Sequence, residues 1–85
     1  MALTLLSREG CGLCEEFVEA FAAAFPALLP ALAIADVDSR PGWRGRYGLV
    51  IPVLLDDEGT AICTTHFDAA AFSAWLAESA ERVGP

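Results

Sequence analysis

Two cysteines three positions apart, Cys11 and Cys14, separate an apolar run from a run with helical spacing. The segment reads REGCGLCEE, and glycines at positions 10 and 12 mark the turn at which the apolar run ends. A pair with this spacing forms a redox-active disulfide, supplies half of a metal site, or contributes two packed thiols to a core. Its position limits the chain to folds in which a strand leads directly into a helix.

Hydrophobic periodicity predicts four strands and three helices. The first helix has apolar residues at helical spacing and is stopped by Pro26, and these residues are Leu13, Phe17, Val18, Phe21, Ala24 and Phe25. The predicted elements are a strand at 2–7, a helix at 12–25, a strand at 32–38, a short helix at 40–47 capped by Ser39, strands at 53–55 and 60–64 joined by the turn 56–59, and a last helix capped by Asp68. The last helix should present one apolar face, formed by Phe72, Trp75, Leu76 and Ala80.

This βαβαββα order predicts an α/β fold with a four-stranded mixed sheet and helices on both faces. Right-handed crossovers then place the start of the first helix at the carboxyl end of a strand, where functional residues usually lie. The 85 residues should form a single domain, 1–85, which can bury roughly 60–65% of the surface of the unfolded chain.

Composition narrows the class of protein. A hydrophobic fraction of 55% with 20% charged residues argues against disorder, and prolines and acids interrupt every apolar stretch before the ~20 residues of a membrane span. The first residues, MALTLLSREG, carry no basic segment before their short apolar run, so we expect a cytoplasmic protein with no membrane association. In a reducing compartment, a Cys-x-x-Cys pair is more often catalytic or metal-binding than structural.

The formal net charge of −7, with no lysine, opposes binding to nucleic acid. Three of the five basic residues, Arg40, Arg44 and Arg46, lie close together, and Arg8 precedes Cys11 by three positions. An anionic ligand therefore has a local cationic patch available. Separately, we expect the protein to be a monomer.

The predicted helix start gives the two cysteines different roles. Unpaired N–H groups and the helix dipole stabilise a thiolate at Cys11, which makes it the nucleophile. Cys14 lies one turn further in and can attack a mixed disulfide at Cys11, which makes it the resolving residue. Glu15 and Glu16 favour the helix start but add negative charge that opposes the Cys11 thiolate.

Two other classes of function remain open. Cys63 and His66 form a second pair, Cys-x-x-His, so a zinc or cluster-binding module using Cys11 and Cys14 is one alternative. We expect instead that Cys63 is buried and inert, that His66 lies in a surface loop, and that the site holds no metal. The other alternative is a binding domain in which the cysteines are incidental.

The sequence resembles the glutaredoxin branch of the thioredoxin family, and in particular small bacterial glutaredoxin-like proteins. The resemblance covers nearly the whole chain in element order and rests on REGCGLC, on VIP at 50–52 and on FD at 67–68. It implies a thioredoxin fold in which Pro52 is cis and faces the cysteines. It also implies that Ile51 pairs through its backbone with glutathione or a substrate peptide.

The same resemblance assigns ligand contacts. Arg8 would meet a carboxylate of glutathione, and Asp68 would hold its amino group. Glutathione has two carboxylates, so this acidic protein needs a second local cation for it, and we take Arg40 as the candidate. We also expect Gly12 and Leu13, between the cysteines, to contact the substrate or glutathione, although glutaredoxins usually carry proline and tyrosine there. Thr65 and His66 replace a usual glycine pair. We therefore expect glutathione to bind less tightly than in an ordinary glutaredoxin.

These observations together predict a glutaredoxin-like thiol-disulfide oxidoreductase with Cys11 and Cys14 as catalytic residues. It would reduce protein disulfides or glutathione mixed disulfides, with glutathione as a possible co-substrate and no tightly bound cofactor. The residues do not distinguish glutathione from a thioredoxin reductase as the electron donor.

Overall fold

Residues 2–82 are described by a computed structural model. Their strands and helices are β1 Leu3–Ser7, α1 Gly12–Ala24, β2 Leu32–Asp36, α2 Pro41–Tyr47, β3 Val53–Leu55, β4 Ala61–Thr64 and α3 Ala69–Arg82. The predicted order of elements is therefore confirmed. No helix in this part of the chain is long and apolar enough to cross a membrane.

The four strands form one mixed sheet in the order β2-β1-β3-β4. The outer strand β2 runs parallel to β1, whereas β3 is antiparallel to both of its neighbours. The parallel pair requires a crossover, which α1 supplies. The mixed sheet and flanking helices are those of a thioredoxin fold, as the sequence predicts.

Alternation along the strands divides the core between the two faces of the sheet, since successive side chains point to opposite faces. One cluster lies with α1 and α3 and contains Leu3, Leu5, Phe17, Phe21, Leu54, Cys63 and Phe72. The other lies with α2 and contains Leu6, Val37, Val53 and Leu55, against which Trp43, Tyr47 and Ile51 pack. The sheet is thus covered on both faces, and α2 is fixed by its aromatic residues.

The boundaries of some helices and strands differ from the predicted ones, at 3₁₀ turns and at prolines. The connection 26–31 is a 3₁₀ helix that begins with proline, and β2 ends at Asp36 because Val37–Ser39 forms a further 3₁₀ turn. The prediction that Ser39 caps α2 is wrong: the cap position is Arg40, and the Ser39 hydroxyl donates to the carbonyl of Asp36. Pro41 explains the shift, since proline is favoured as the first helical residue.

Aromatic rings join α3 to α1. Phe67, just before α3, meets Phe17 and Phe21 edge to face, with ring centroids 5.4 and 5.5 Å apart. Phe72 meets Phe21 in the same manner at 5.3 Å. Such pairs contribute roughly 0.5–1.5 kcal/mol beyond their burial, so the start of α3 is held firmly against α1.

Candidate active site

The two cysteines lie at the start of α1 with their sulfur atoms at disulfide distance. Their Cα atoms are 5.2 Å apart, which is within the usual range for a disulfide. Cys11 occupies the N-cap position, and its Sγ accepts a hydrogen bond from the backbone N–H of Cys14 at 3.1 Å. Cys14 is only 4% exposed, while Cys11 is partly exposed. The predicted difference in exposure is therefore confirmed.

A tight turn brings Cys11 to this position. Gly10 has a φ of +80°, a conformation that residues with a side chain rarely adopt. The N–H of Cys11 then donates to the carbonyl of Arg8 at 3.2 Å. The chain can therefore leave β1 and enter α1 within four residues.

The register of the sheet gathers the predicted site residues at one end. Ser7 at the end of β1 lies opposite Asp36 at the end of β2, and Leu6 lies opposite Val53 at the start of β3. Val53 in turn lies opposite Thr64 at the end of β4. The turn to Cys11, the segment before β3 and the segment after β4 therefore all leave the sheet at the same end.

The segment before β3 is tied to the segment after β4. The Ile51–Pro52 peptide bond is cis, and the Pro52 side chain is buried. The N–H of Thr65 lies 2.7 Å from the Pro52 carbonyl and 3.1 Å from the Val50 carbonyl. Thr65 itself has a φ of 70°, which is uncommon for a residue with a branched side chain. These bonds hold the two segments together at the end of the sheet that carries Cys11.

Arg8 makes contacts that the sequence did not reveal. Its Nε and Nη2 donate to the two carboxylate oxygens of Asp38 at 2.8 and 2.9 Å, and its Nη1 donates to the carbonyl of Gly48 at 3.2 Å. The hydrogen bond to Asp38 raises the pKa of Arg8, and the same bond lowers the pKa of Asp38. Arg8 therefore links the turn before Cys11 to the end of α2, and its role in glutathione binding stays a prediction.

Asp68 begins α3, and its predicted capping role is confirmed. Its Oδ1 accepts the N–H of Ala71 at 3.0 Å. Its carbonyl accepts the N–H of Phe72 and also lies 3.8 Å from the sulfur of Cys63. The second carboxylate oxygen makes no hydrogen bond within residues 2–80, so it is available to a ligand.

The other predicted contact residues are arranged around the pair. Gly12 is exposed, and Leu13 is 41% exposed although it belongs to the predicted apolar spacing of α1. Ile51 is half-buried against the α2 side of the core. The structure thus leaves Gly12 and Leu13 accessible beside Cys11, while Ile51 is accessible only in part.

Two cavities adjoin this region. The first, of about 400 Å³, is lined by both cysteines and Arg8, with an apolar side formed by Leu5, Val18 and Ile34. The second, of about 270 Å³, lies between α1 and the segment before α3 and is lined by Leu13, Glu16, Phe17, Ala20, Thr65, His66 and Phe67. His66 is exposed in the loop between β4 and α3, which confirms its predicted place on the surface, and it lines this second cavity together with Leu13.

Cys63 is buried in β4, away from solvent, and burial raises the pKa of its thiol. Its predicted burial is confirmed. Within the described residues, no group of three or more histidine, cysteine or acidic residues is arranged to hold a metal ion.

Comparisons with known proteins found a matching family model and solved structures similar to this chain. A family model described as Glutaredoxin-like domain (DUF836) matches residues 2–77. The X-ray structure of the X. campestris structural genomics target XcR50 has 38% sequence identity and a TM-score of 0.70, over 91% of this chain and 97% of that one. The solution NMR structure of protein Ne2328 from Nitrosomonas europaea has 25% identity and a TM-score of 0.76, over 87% and 88%. No curated protein gives a significant match.

Proposed function

Because the chain belongs to the glutaredoxin-like domain family, we propose that it is a thiol-disulfide oxidoreductase whose Cys11 and Cys14 alternate between dithiol and disulfide. The observation that carries this proposal is the arrangement of the pair at the start of α1. One sulfur is accessible and caps the helix, and the other is buried within disulfide reach of it. Packed structural thiols would not need this difference in exposure.

The reaction begins with both cysteines reduced. The Cys11 thiolate attacks one sulfur of the substrate disulfide, forms a mixed disulfide and expels the other substrate sulfur as a thiolate. The Cys14 thiolate then attacks Sγ of Cys11, breaks the mixed disulfide and releases the second substrate thiol. The released thiolates take up two protons, and the substrate gains the two electrons that the cysteine pair loses. An external thiol reductant returns the pair to the dithiol form.

The start of α1 stabilises the thiolate on which this reaction depends. The N–H of Cys14 points at Sγ of Cys11, and the positive end of the helix dipole adds to this effect. Glu15 and Glu16 are exposed, so solvent screens much of their opposing charge. The balance favours a Cys11 thiol that is more acidic than an ordinary cysteine.

Protein disulfides are the favoured substrates. The surface at this end of the sheet includes exposed apolar side chains, with Leu13 at 41%, Leu49 at 101% and Val50 at 39% exposure. An extended substrate segment can pack on them while its backbone pairs with Ile51. Glutathione mixed disulfides are the second substrate class, and for them Asp68 retains a free carboxylate oxygen, whereas Arg8 is already held by Asp38.

Trapping of the intermediate tests this proposal. Reduced Cys14→Ser should accumulate a mixed disulfide at Cys11 with an oxidised peptide or with glutathione disulfide, because no second thiolate resolves it. Cys11→Ser should form no adduct and show no exchange. Cys63→Ser is the matched control and should retain wild-type exchange, since Cys63 is buried. Full activity of Cys11→Ser, or an adduct located on Cys63, would overturn the assignment.

A further inference from the structure

The basic side chains of this acidic protein are concentrated on one surface. The sequence has five arginines, no lysine and a net charge of −7, yet Arg40, Arg44 and Arg46 lie on or next to a helix of only seven residues. All three are exposed. We call the surface formed by Arg40, Arg44 and Arg46 the arginine face. In a molecule with this net charge, such a concentration creates a local positive field.

Aromatic rings hold two of these guanidinium groups. Arg40 lies over the ring of Trp43 at 4.4 Å from its centroid, and Arg46 lies over Tyr47 at 6.0 Å. Both rings are anchored in the core cluster below α2. The guanidinium groups are therefore partly ordered before any ligand arrives, which lowers the entropy lost when they bind.

Among the side chains of residues 2–80, no carboxylate lies within 4 Å of the guanidinium nitrogens of the arginine face. The ion pair found in residues 2–80 joins Arg8 to Asp38, and Arg40, Arg44 and Arg46 form none there. Arg44 is near enough to Asp38 to contribute to the lowered pKa of that carboxyl group, but no hydrogen bond joins the two within this part of the chain. The N–H donors of the face are thus available for a partner.

The helix that carries the arginine face ends at a residue bonded to the turn before the cysteine pair. Gly48 ends α2, and its carbonyl accepts a hydrogen bond from Arg8, three residues before Cys11. The next residues, Leu49 and Val50, are exposed and lead to the cis bond at Pro52. A partner that contacts the arginine face and these apolar side chains can therefore bring a disulfide to Cys11.

We propose that the arginine face docks an acidic segment of the protein whose disulfide reacts at Cys11. The inference rests on the proposed function and names the class of substrate: a protein with carboxylates close to its reactive disulfide. Arginine pairs with carboxylates through two parallel hydrogen bonds, so exposed guanidinium groups suit this partner. Nucleic acid is a poorer occupant, because its continuous phosphate charge would meet the acidic remainder of the molecule.

The experiment compares two disulfide-bonded peptides that differ only in charge. One carries Asp and Glu beside the disulfide, and the other carries Asn and Gln at the same positions. Wild-type protein should show a higher kcat/KM for the acidic peptide, and the preference should fall as salt rises. Arg44→Gln/Arg46→Gln should lose about fivefold in kcat/KM for the acidic peptide, the range of two exposed ion pairs, and almost nothing for the neutral one.

Two controls separate docking from other causes. Ala23→Glu/Ala77→Glu changes the net charge by the same two units, at exposed positions on α1 and α3, and should retain the acidic preference. A small neutral disulfide, hydroxyethyl disulfide, should react equally with wild type and Arg44→Gln/Arg46→Gln. If wild-type protein does not react with hydroxyethyl disulfide, the proposed oxidoreductase function itself is refuted. Equal kcat/KM of wild type for the two peptides, or an equal loss with both in the arginine variant, would overturn the docking proposal alone.

Discussion

At the scale of single residues, position in the fold gives the three cysteines different chemistry. Cys11 caps α1 and is partly exposed, and Cys14 is buried behind it. Cys63 has no such position: it lies in β4 and packs in the core, and its sulfur lies 3.8 Å from the carbonyl oxygen of Asp68. We therefore expect Cys63 to influence stability rather than exchange.

Cys63 should make the stability of the fold depend on alkaline pH. Burial raises the pKa of its thiol, so the folded state keeps this proton at pH values where the unfolded state, with a pKa of about 8.5, releases it. The resulting stability is fully present below that unfolded pKa and is lost as pH rises through the folded one. In oxidised protein, Cys63→Ala should cost about 1 kcal/mol at pH 7, and the difference from wild type should shrink by pH 10.

Urea unfolding of both proteins between pH 7 and pH 10 measures this effect. Groups other than Cys63 titrate equally in the two proteins and cancel in the comparison. A difference that stays constant across the range would contradict the assignment of a buried, protonated thiol.

At the scale of elements, the ends of α2 and α3 determine the shape of the site. Gly48 ends α2, and a Cβ atom built on it would lie 2.6 Å from the carbonyl oxygen of Arg44 and 3.5 Å from Nη2 of Arg8. Asp68 begins α3 through its hydrogen bond to Ala71. The segment before β3 therefore starts at a helix end that tolerates only glycine, and the segment after β4 ends at the Asp68 cap.

Two glycines of the α2 region should respond to alanine with opposite signs. Gly48→Ala should destabilise the protein by about 1–3 kcal/mol, because the backbone of Arg44 cannot move away without disturbing the helix. Gly45→Ala is the matched control. Nothing lies within 4 Å of a Cβ atom built on Gly45, so alanine should stabilise the helix by roughly 0.5–1 kcal/mol. Chemical denaturation of both variants measures the two effects. Stabilisation by both alanines would show that the predicted clash at Gly48 is absent.

Asp68 allows its capping role to be separated from its predicted role in glutathione binding. Asp68→Ala should lose about 0.5–2 kcal/mol of stability, whereas Asp68→Ser retains a capping oxygen and should lose little. If the free carboxylate oxygen holds the amino group of glutathione, both variants should show a higher KM for glutathione. Wild-type glutathione kinetics in a fully folded Asp68→Ser would remove Asp68 from the binding site.

At the scale of the whole molecule, the sequence predicts those features of the fold that are determined by residues close together in the chain. The order of elements, the start of α1 at Cys11 and the cap at Asp68 follow from periodicity and local chemistry. The contacts of Arg8 do not, because they join it to residues 30 and 40 positions away. Resemblance to a family assigned Arg8 to a ligand, and only the folded chain shows that Asp38 already holds it.

The exposure of apolar residues was also beyond sequence reasoning. Leu13 fits the apolar spacing of α1. It lies on the first turn of that helix, however, and its side chain is exposed. Leu49 follows a helix end and gives no periodic signal at all. Both residues lie at the end of the sheet that carries Cys11. Leu13 is expected there as a contact residue because it lies between the cysteines, whereas no pattern in the sequence indicates Leu49.

The central claim is that Cys11 and Cys14 form a reversible two-electron couple, and a redox titration tests it most directly. The protein is equilibrated in thiol buffers across about −300 to −120 mV, which covers the reduction potentials of known thiol-disulfide oxidoreductases. Free thiols are then alkylated, and the mass of the protein is measured by mass spectrometry. We predict a single transition in which oxidation removes two alkylation sites, one at Cys11 and one at Cys14. The Cys63→Ser variant should show the same transition. A pair that stays fully reduced or fully oxidised throughout, or a transition that involves Cys63, would contradict the central claim.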